Sequence, residues 1–116
     1  MSLLERLQAD RAAHVGRRTT TLVCRDRMRD AYDHFSAVAS AAPKGSAERI
    51  EAENLARCAR DGVGMAGSVS LVPDALAAYL ADAGGTYVWS VVDYDRLVFA
   101  EDAQIAELDR AIAAQA

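Results

Sequence analysis

The sequence predicts an α+β domain: four or five helices packed around a small antiparallel β-hairpin at about residues 86–100. Two observations carry that expectation. Tyr87, Trp89 and Val91 alternate with Val88, Ser90 and Val92, a period-2 run of aromatic and β-branched residues that suits a strand. Most of the remaining chain instead repeats its apolar residues at spacings of three and four, between capping and stop signals that suit helices. Asp93-Tyr94-Asp95-Arg96 reads as the turn and Leu97-Val98-Phe99 as the return strand, although the turn lacks the glycine that tight hairpins favour.

Taken in order, Ser2 and Glu5 fit a capping box that opens a first helix, and Gly16 offers a stop after Val15. Three consecutive threonines disfavour a helix interior, so Thr19 to Cys24 is a possible third strand, with a helix start as the other reading. Asp26 to Ala42 is a helix whose Met28, Ala31, Tyr32, Phe35, Val38, Ala39 and Ala42 share one face, expected to pack on the hairpin. Pro43-Lys44-Gly45 ends it, and Ser46 caps a further helix over Ala47 to Arg60 with Ile50, Leu55 and Cys58 inward. A small-residue loop, Asp61 to Ser70, leads to a short helix from Pro73-Asp74 with Leu76, Tyr79, Leu80 and Ala83 in one stripe. Gly84-Gly85 ends that helix, and Asp102 is placed to cap a last one with Ile105, Leu108 and Ile112 as its core face. No repeat or linker divides residues 1–116, so a single domain is expected.

Composition narrows the function classes. Hydrophobic residues make up 52% of the chain, but alanine accounts for 25 of them and adds little buried area. Twelve of the thirteen basic residues are arginine, a bias that GC-rich coding together with alanine excess produces without a functional cause. The net charge of −4 is unevenly spread, at +2 over residues 1–34 and −6 over residues 35–116, which can steer one subunit to another or an anion to the N-terminal third. Cys24 and Cys58 lack metal-ligand spacing and suit a reduced, cytoplasmic setting. No apolar run is long enough for a transmembrane helix, and the charged N-terminus does not suit a secretory signal, so no membrane partner is expected.

Motifs for chemistry are sparse. Gly62-Val63-Gly64-Met65-Ala66-Gly67 spells G-x-G-x-x-G, yet a dinucleotide site needs a strand before it and a helix after it, and neither is predicted there. Asp93 and Asp95 place two carboxylates on the turn without a third ligand, and His14 has no evident partner. Arg29, Asp30 and His34 together resemble the R-D-x-x-x-H motif of HEPN-family ribonucleases. That resemblance implies an all-helical fold in which the Arg and His act on an RNA phosphodiester. On a helix, however, Arg29 and His34 diverge by roughly 140°. No catalytic residue, cofactor or metal ligand set is assigned.

The leading expectation is a non-enzymatic protein–protein interaction module, an adaptor, assembly or regulatory protein that self-associates. Its interface is expected on Tyr87, Trp89, Val91, Leu97 and Phe99, because both faces of an isolated hairpin carry apolar groups and its edges are unpaired. The alternative is a nucleic-acid-binding regulator using Arg17, Arg18, Arg25, Arg27 and Arg29 in the arginine-rich segment 11–29, with a HEPN-like ribonuclease behind it.

Overall fold

The computed structural model describes residues 1–61, 73–82 and 90–115, and every regular element among them is an α-helix. The elements are α1 (Leu3–Ala41), α2 (Ala47–Asp61), α3 (Asp74–Asp82) and α4 (Val91–Ala113). The α+β expectation is therefore overturned. The proposed turn at Asp93 to Arg96 and the return strand at Leu97 to Phe99 lie inside α4. Tyr87 and Trp89, from the proposed first strand, lie outside the described residues.

The physical reason sits at the start of α4. Ser90 is its N-cap: the side chain accepts from the Asp93 N–H at 3.2 Å, while the Asp93 carboxylate accepts from the Ser90 backbone N–H at 3.4 Å and from its hydroxyl at 2.9 Å. This Ser-x-x-Asp box closes a helix entrance on both sides. The alternation up to Val92 thus runs across a helix boundary, and beyond it Val91, Tyr94 and Val98 recur at helical spacing and are buried. Asp102, expected as the cap of this helix, stands in its interior.

α1 is one helix of 39 residues, in place of the helix, the stop at Gly16 and the alternative third strand at Thr19 to Cys24 that the sequence suggests. Ser2 caps it as expected, accepting from the Glu5 N–H at 3.1 Å. Neither Gly16 nor the threonines interrupt it. Thr19, Thr20 and Thr21 donate their hydroxyls to the carbonyls of Val15, Gly16 and Arg17 at 3.0, 3.2 and 2.9 Å, so each β-branched side chain is satisfied within the helix. The helix stops where predicted: the Ala42 N–H closes on Val38 and Ala39, Pro43 follows, and Gly45 turns the chain at φ +76°. Ser46 then accepts from the Arg49 N–H at 3.2 Å and opens α2.

α1 is the spine on which the other helices pack. α4 runs antiparallel along its N-terminal and middle parts, pairing Arg11 with Asp109 toward one end and Arg25 with Asp95 toward the other. α2 folds back along its C-terminal part, so that Arg49 reaches the Ala42 carbonyl and Arg60 lies over the Tyr32 ring. One core forms where all four helices meet: Met28, Ala31 and Phe35 of α1, Leu55, Ala56 and Ala59 of α2, Leu76 and Leu80 of α3, and Val91 and Tyr94 of α4. Met28 and Phe35 are buried as expected and Tyr32 is half-buried, but their partners are helices and not a hairpin. Ala31 and Ala59 are fully buried, so part of the alanine excess serves close helix approach.

The packing is elongated. The radius of gyration is 18.6 Å, against about 13 Å for a compact domain of this length. Beyond the core, the N-terminal half of α1 and the C-terminal half of α4 project as a two-helix arm. The less exposed residues of α4 recur as Val91, Tyr94, Val98, Glu101, Ile105, Leu108 and Ile112, the alternating three-four spacing of a coiled-coil seam. Facing them on α1 are Leu7, Arg11, His14, Arg18, Thr21, Arg25 and Met28 at the same spacing. One strip is largely apolar, whereas the other carries three arginines among its seven residues and is net cationic.

Candidate interaction surfaces

The arginines expected to bind nucleic acid lie on this cationic strip or beside it, and carboxylates of α4 meet most of them. Arg17 reaches Glu101 at 3.3 Å, Arg18 reaches Asp102 at 2.5 Å, and Arg25 reaches Asp95 at 3.3 Å and Asp26 at 3.4 Å. Arg29 reaches Asp95 at 3.7 Å, and Arg27 is half-buried and engaged as well. A nucleic-acid phosphate at these guanidiniums would have to compete with carboxylates already in place.

The regularity of that pairing was missed in the sequence. Arg11, Arg18 and Arg25 are spaced by one heptad, and so are Asp95, Asp102 and Asp109; the antiparallel helices match them rung by rung. His14, which had no evident partner, occupies the seam with its Nδ1 at 2.5 Å from Glu101 Oε2. The signal was present as two heptad-spaced series of opposite charge, one near each end of the chain.

The expected oligomer residues divide. Val91 is buried in the core at 9% exposure, whereas Leu97 is 39% exposed and Phe99 78%. Tyr87 and Trp89 are outside the described residues. The open sheet edges expected to drive that interface do not occur among the described residues, whose elements are all helices. What remains is an apolar patch on the arm. Val92 and Phe99 stand three residues before Asp95 and Asp102; Val15 and Leu22 stand three before Arg18 and Arg25. Neighbours three apart share a helix face, so apolar residues on both helices border the charged rungs. The same antiparallel register sets Phe99 level with Leu22.

The other motifs resolve as follows. The all-helical fold agrees with the class that the HEPN resemblance implies, but its residues are not brought together. Arg29 turns to Asp95 of α4, while His34 stacks on Tyr79 of α3 at 4.7 Å and meets the edge of Phe35 at 4.9 Å. Asp93 is spent on the α4 cap and Asp95 on arginines, and no cluster of three metal-ligating side chains occurs among the described residues. Cys24 and Cys58 are free thiols packed against the core. The Gly62 to Gly67 motif lies outside the described residues. No helix among the described residues is long and apolar enough to cross a membrane.

Two grooves flank α2. One, of about 510 Å³, lies between α2 and the start of α3 and is lined by Ile50, Leu55, Pro73 and Ala75 among others. The second, of about 270 Å³, lies between α1 and α2 and is lined by Tyr32, Ser36, Ser40, Arg49, Arg57 and Arg60, with Glu53 at its side. There the Arg60 guanidinium bonds both Asp61 oxygens at 2.8 and 2.9 Å, which holds the Asp61 carboxyl below the usual range.

The fold is thus an antiparallel helical assembly on one long spine, with an arm of two paired helices. Comparison of the chain with protein-family models, curated proteins and solved structures found no match.

Proposed function

We propose that the chain is a non-enzymatic interaction module whose α1–α4 arm docks onto a second copy of itself. The observation that supports this reading most is Phe99, a large aromatic side chain 78% exposed on a regular helix and set level with Leu22 across the arm. Two paired helices cannot cover both of their long faces, and the customary solution is a second pair that closes a four-helix bundle. A second identical chain is most simply related by a two-fold axis, which sets the same exposed patch of each copy against the other.

Light scattering after size-exclusion chromatography tests the reading over a range of concentration. The expected result is twice the chain mass for the wild-type protein and the single chain mass for Phe99→Glu, with both retaining the same helical circular dichroism. A wild-type protein that stays monomeric at high micromolar concentration overturns self-association, and a Phe99→Glu variant that remains dimeric overturns the arm as the docking surface.

A further inference from the structure

We propose that the groove between α1 and α2 is a binding site for a small phosphorylated molecule, its phosphate held by Arg49, Arg57 and Arg60 with the hydroxyls of Ser36 and Ser40. This site lies outside the arm and stands independently of the dimer reading.

The groove is built from two helix faces with one chemistry. From α1 come Tyr32, Ser36 and Ser40, spaced four apart on one row; from α2 come Arg49, Arg57 and Arg60. The chain carries a net charge of −4, yet this groove gathers three guanidiniums and a single lining carboxylate, Glu53. Glu53 is drawn to Arg49 at 3.0 Å and Asp61 holds Arg60, so a phosphate enters at Arg57 and reaches the other two guanidiniums by exchanging with those carboxylates. Arg57 has no carboxylate within ion-pair distance among the described residues: it donates to the neutral Asn54 amide oxygen at 3.0 Å, and its charge also helps to hold Asp61 ionised. Two serine hydroxyls complete the donor set. Unlike Thr19, Thr20 and Thr21, which donate back to their own helix, Ser36 and Ser40 have no hydrogen-bond partner among the described residues.

Forked guanidiniums and hydroxyls together suit a tetrahedral dianion, which offers more acceptor positions than one carboxylate. A volume of about 270 Å³ falls just below the ~300–1,000 Å³ of sites for drug-sized ligands, enough for a phosphomonoester of a few carbons. Because the arginines are partly solvated, affinity should weaken as salt rises.

The test titrates the whole 116-residue chain with glycerol phosphate and inorganic phosphate at constant ionic strength, by calorimetry and by NMR of the arginine Nε–H signals. The expected result is saturable binding, with the Nε–H signals of Arg49, Arg57 and Arg60 moving on one isotherm. Arg57→Gln should weaken it about tenfold or more, as loss of a charge-assisted bond implies. Arg11→Gln, which alters a rung of the arm, should leave it unchanged. Absence of saturation, wild-type affinity in Arg57→Gln, or equal loss in Arg11→Gln would each overturn the assignment. Arg57 is exposed and bonds only Asn54, so its substitution leaves the core intact.

Discussion

His14 and Glu101 meet across the seam of the arm, Nδ1 to Oε2 at 2.5 Å, although 87 residues separate them in the chain. Arg17 joins both, its Nη2 at 3.0 Å from the same imidazole nitrogen and its Nε at 3.3 Å from the other carboxylate oxygen. That nitrogen either donates to Glu101 or accepts from Arg17, so the position of one proton selects between two hydrogen-bond patterns. The bond from His14, with Arg17 assisting and partial burial opposing, holds the Glu101 carboxyl below its ordinary 4.5.

A lowered folded-state value gives this pair a definite pH signature. Stability contributed by Glu101 is present in full above its unfolded value and disappears as the pH falls through the lower folded one. Glu101→Gln should therefore melt below wild type near neutral pH, with the gap beginning to narrow below about pH 4.5 and closing only as the pH falls through the lower folded-state value, where the wild-type side chain becomes protonated. Thermal melts of the two proteins across pH check this; a constant gap down to strongly acidic pH would show that Glu101 acts through shape alone.

The rungs of the arm should behave as pairs. Arg18 and Asp102 are 37% and 51% exposed, so solvent screens them, and a double-mutant cycle should give a coupling of about 0.2–1 kcal/mol. Arg18→Asp alone places two acids face to face and should destabilise the protein. Adding Asp102→Arg should restore most of the loss, because the swapped pair keeps the antiparallel register. No recovery in urea denaturation would mean that the ladder is incidental to stability.

Gly16 is an exposed helix-interior glycine with nothing within 4 Å of where a Cβ would stand. Gly16→Ala removes the backbone-entropy penalty without a clash, so it should stabilise the protein by about 0.5–1 kcal/mol. An unchanged or lowered urea midpoint would indicate that α1 is not one continuous helix.

Phe35 is buried at 8% exposure among all four helices and leans on His34 and Tyr79. Phe35→Ala should cost about 3–5 kcal/mol, a large part of the stability of a small domain. Melting within a degree or two of wild type would place the core elsewhere.

Ser90 is 3% exposed and supplies both halves of the bond set that begins α4. Ser90→Ala should cost about 0.5–2 kcal/mol, and Ser90→Asp, which keeps a capping oxygen, should cost less. Urea denaturation of the two variants side by side tests the order; equal losses would mean that burial of the hydroxyl outweighs capping.

Much of the local structure was determined by sequence alone. The Ser2 cap, the stop at Pro43 and Gly45, the Ser46 cap and the start of α3 after Pro73 were all legible, because each rests on the conformational preference of one or two residues. So was the burial of Met28 and Phe35, which the helical period dictates. The continuity of α1 and the start of α4 were decided by tertiary structure. Three threonines lean toward a strand until their hydroxyls bond back within a helix that α4 flanks, and an aromatic alternation signals a strand until a buried Ser90 caps a helix across it. The arm's ion-pair ladder belongs to the same class. Each charged series looks like a solvated face on its own, and only antiparallel packing brings Arg11, Arg18 and Arg25 to Asp109, Asp102 and Asp95. Propensities differ by fractions of a kcal/mol per residue, whereas burial of a seam sums many contacts, so the packing outweighs the local preference wherever the two disagree.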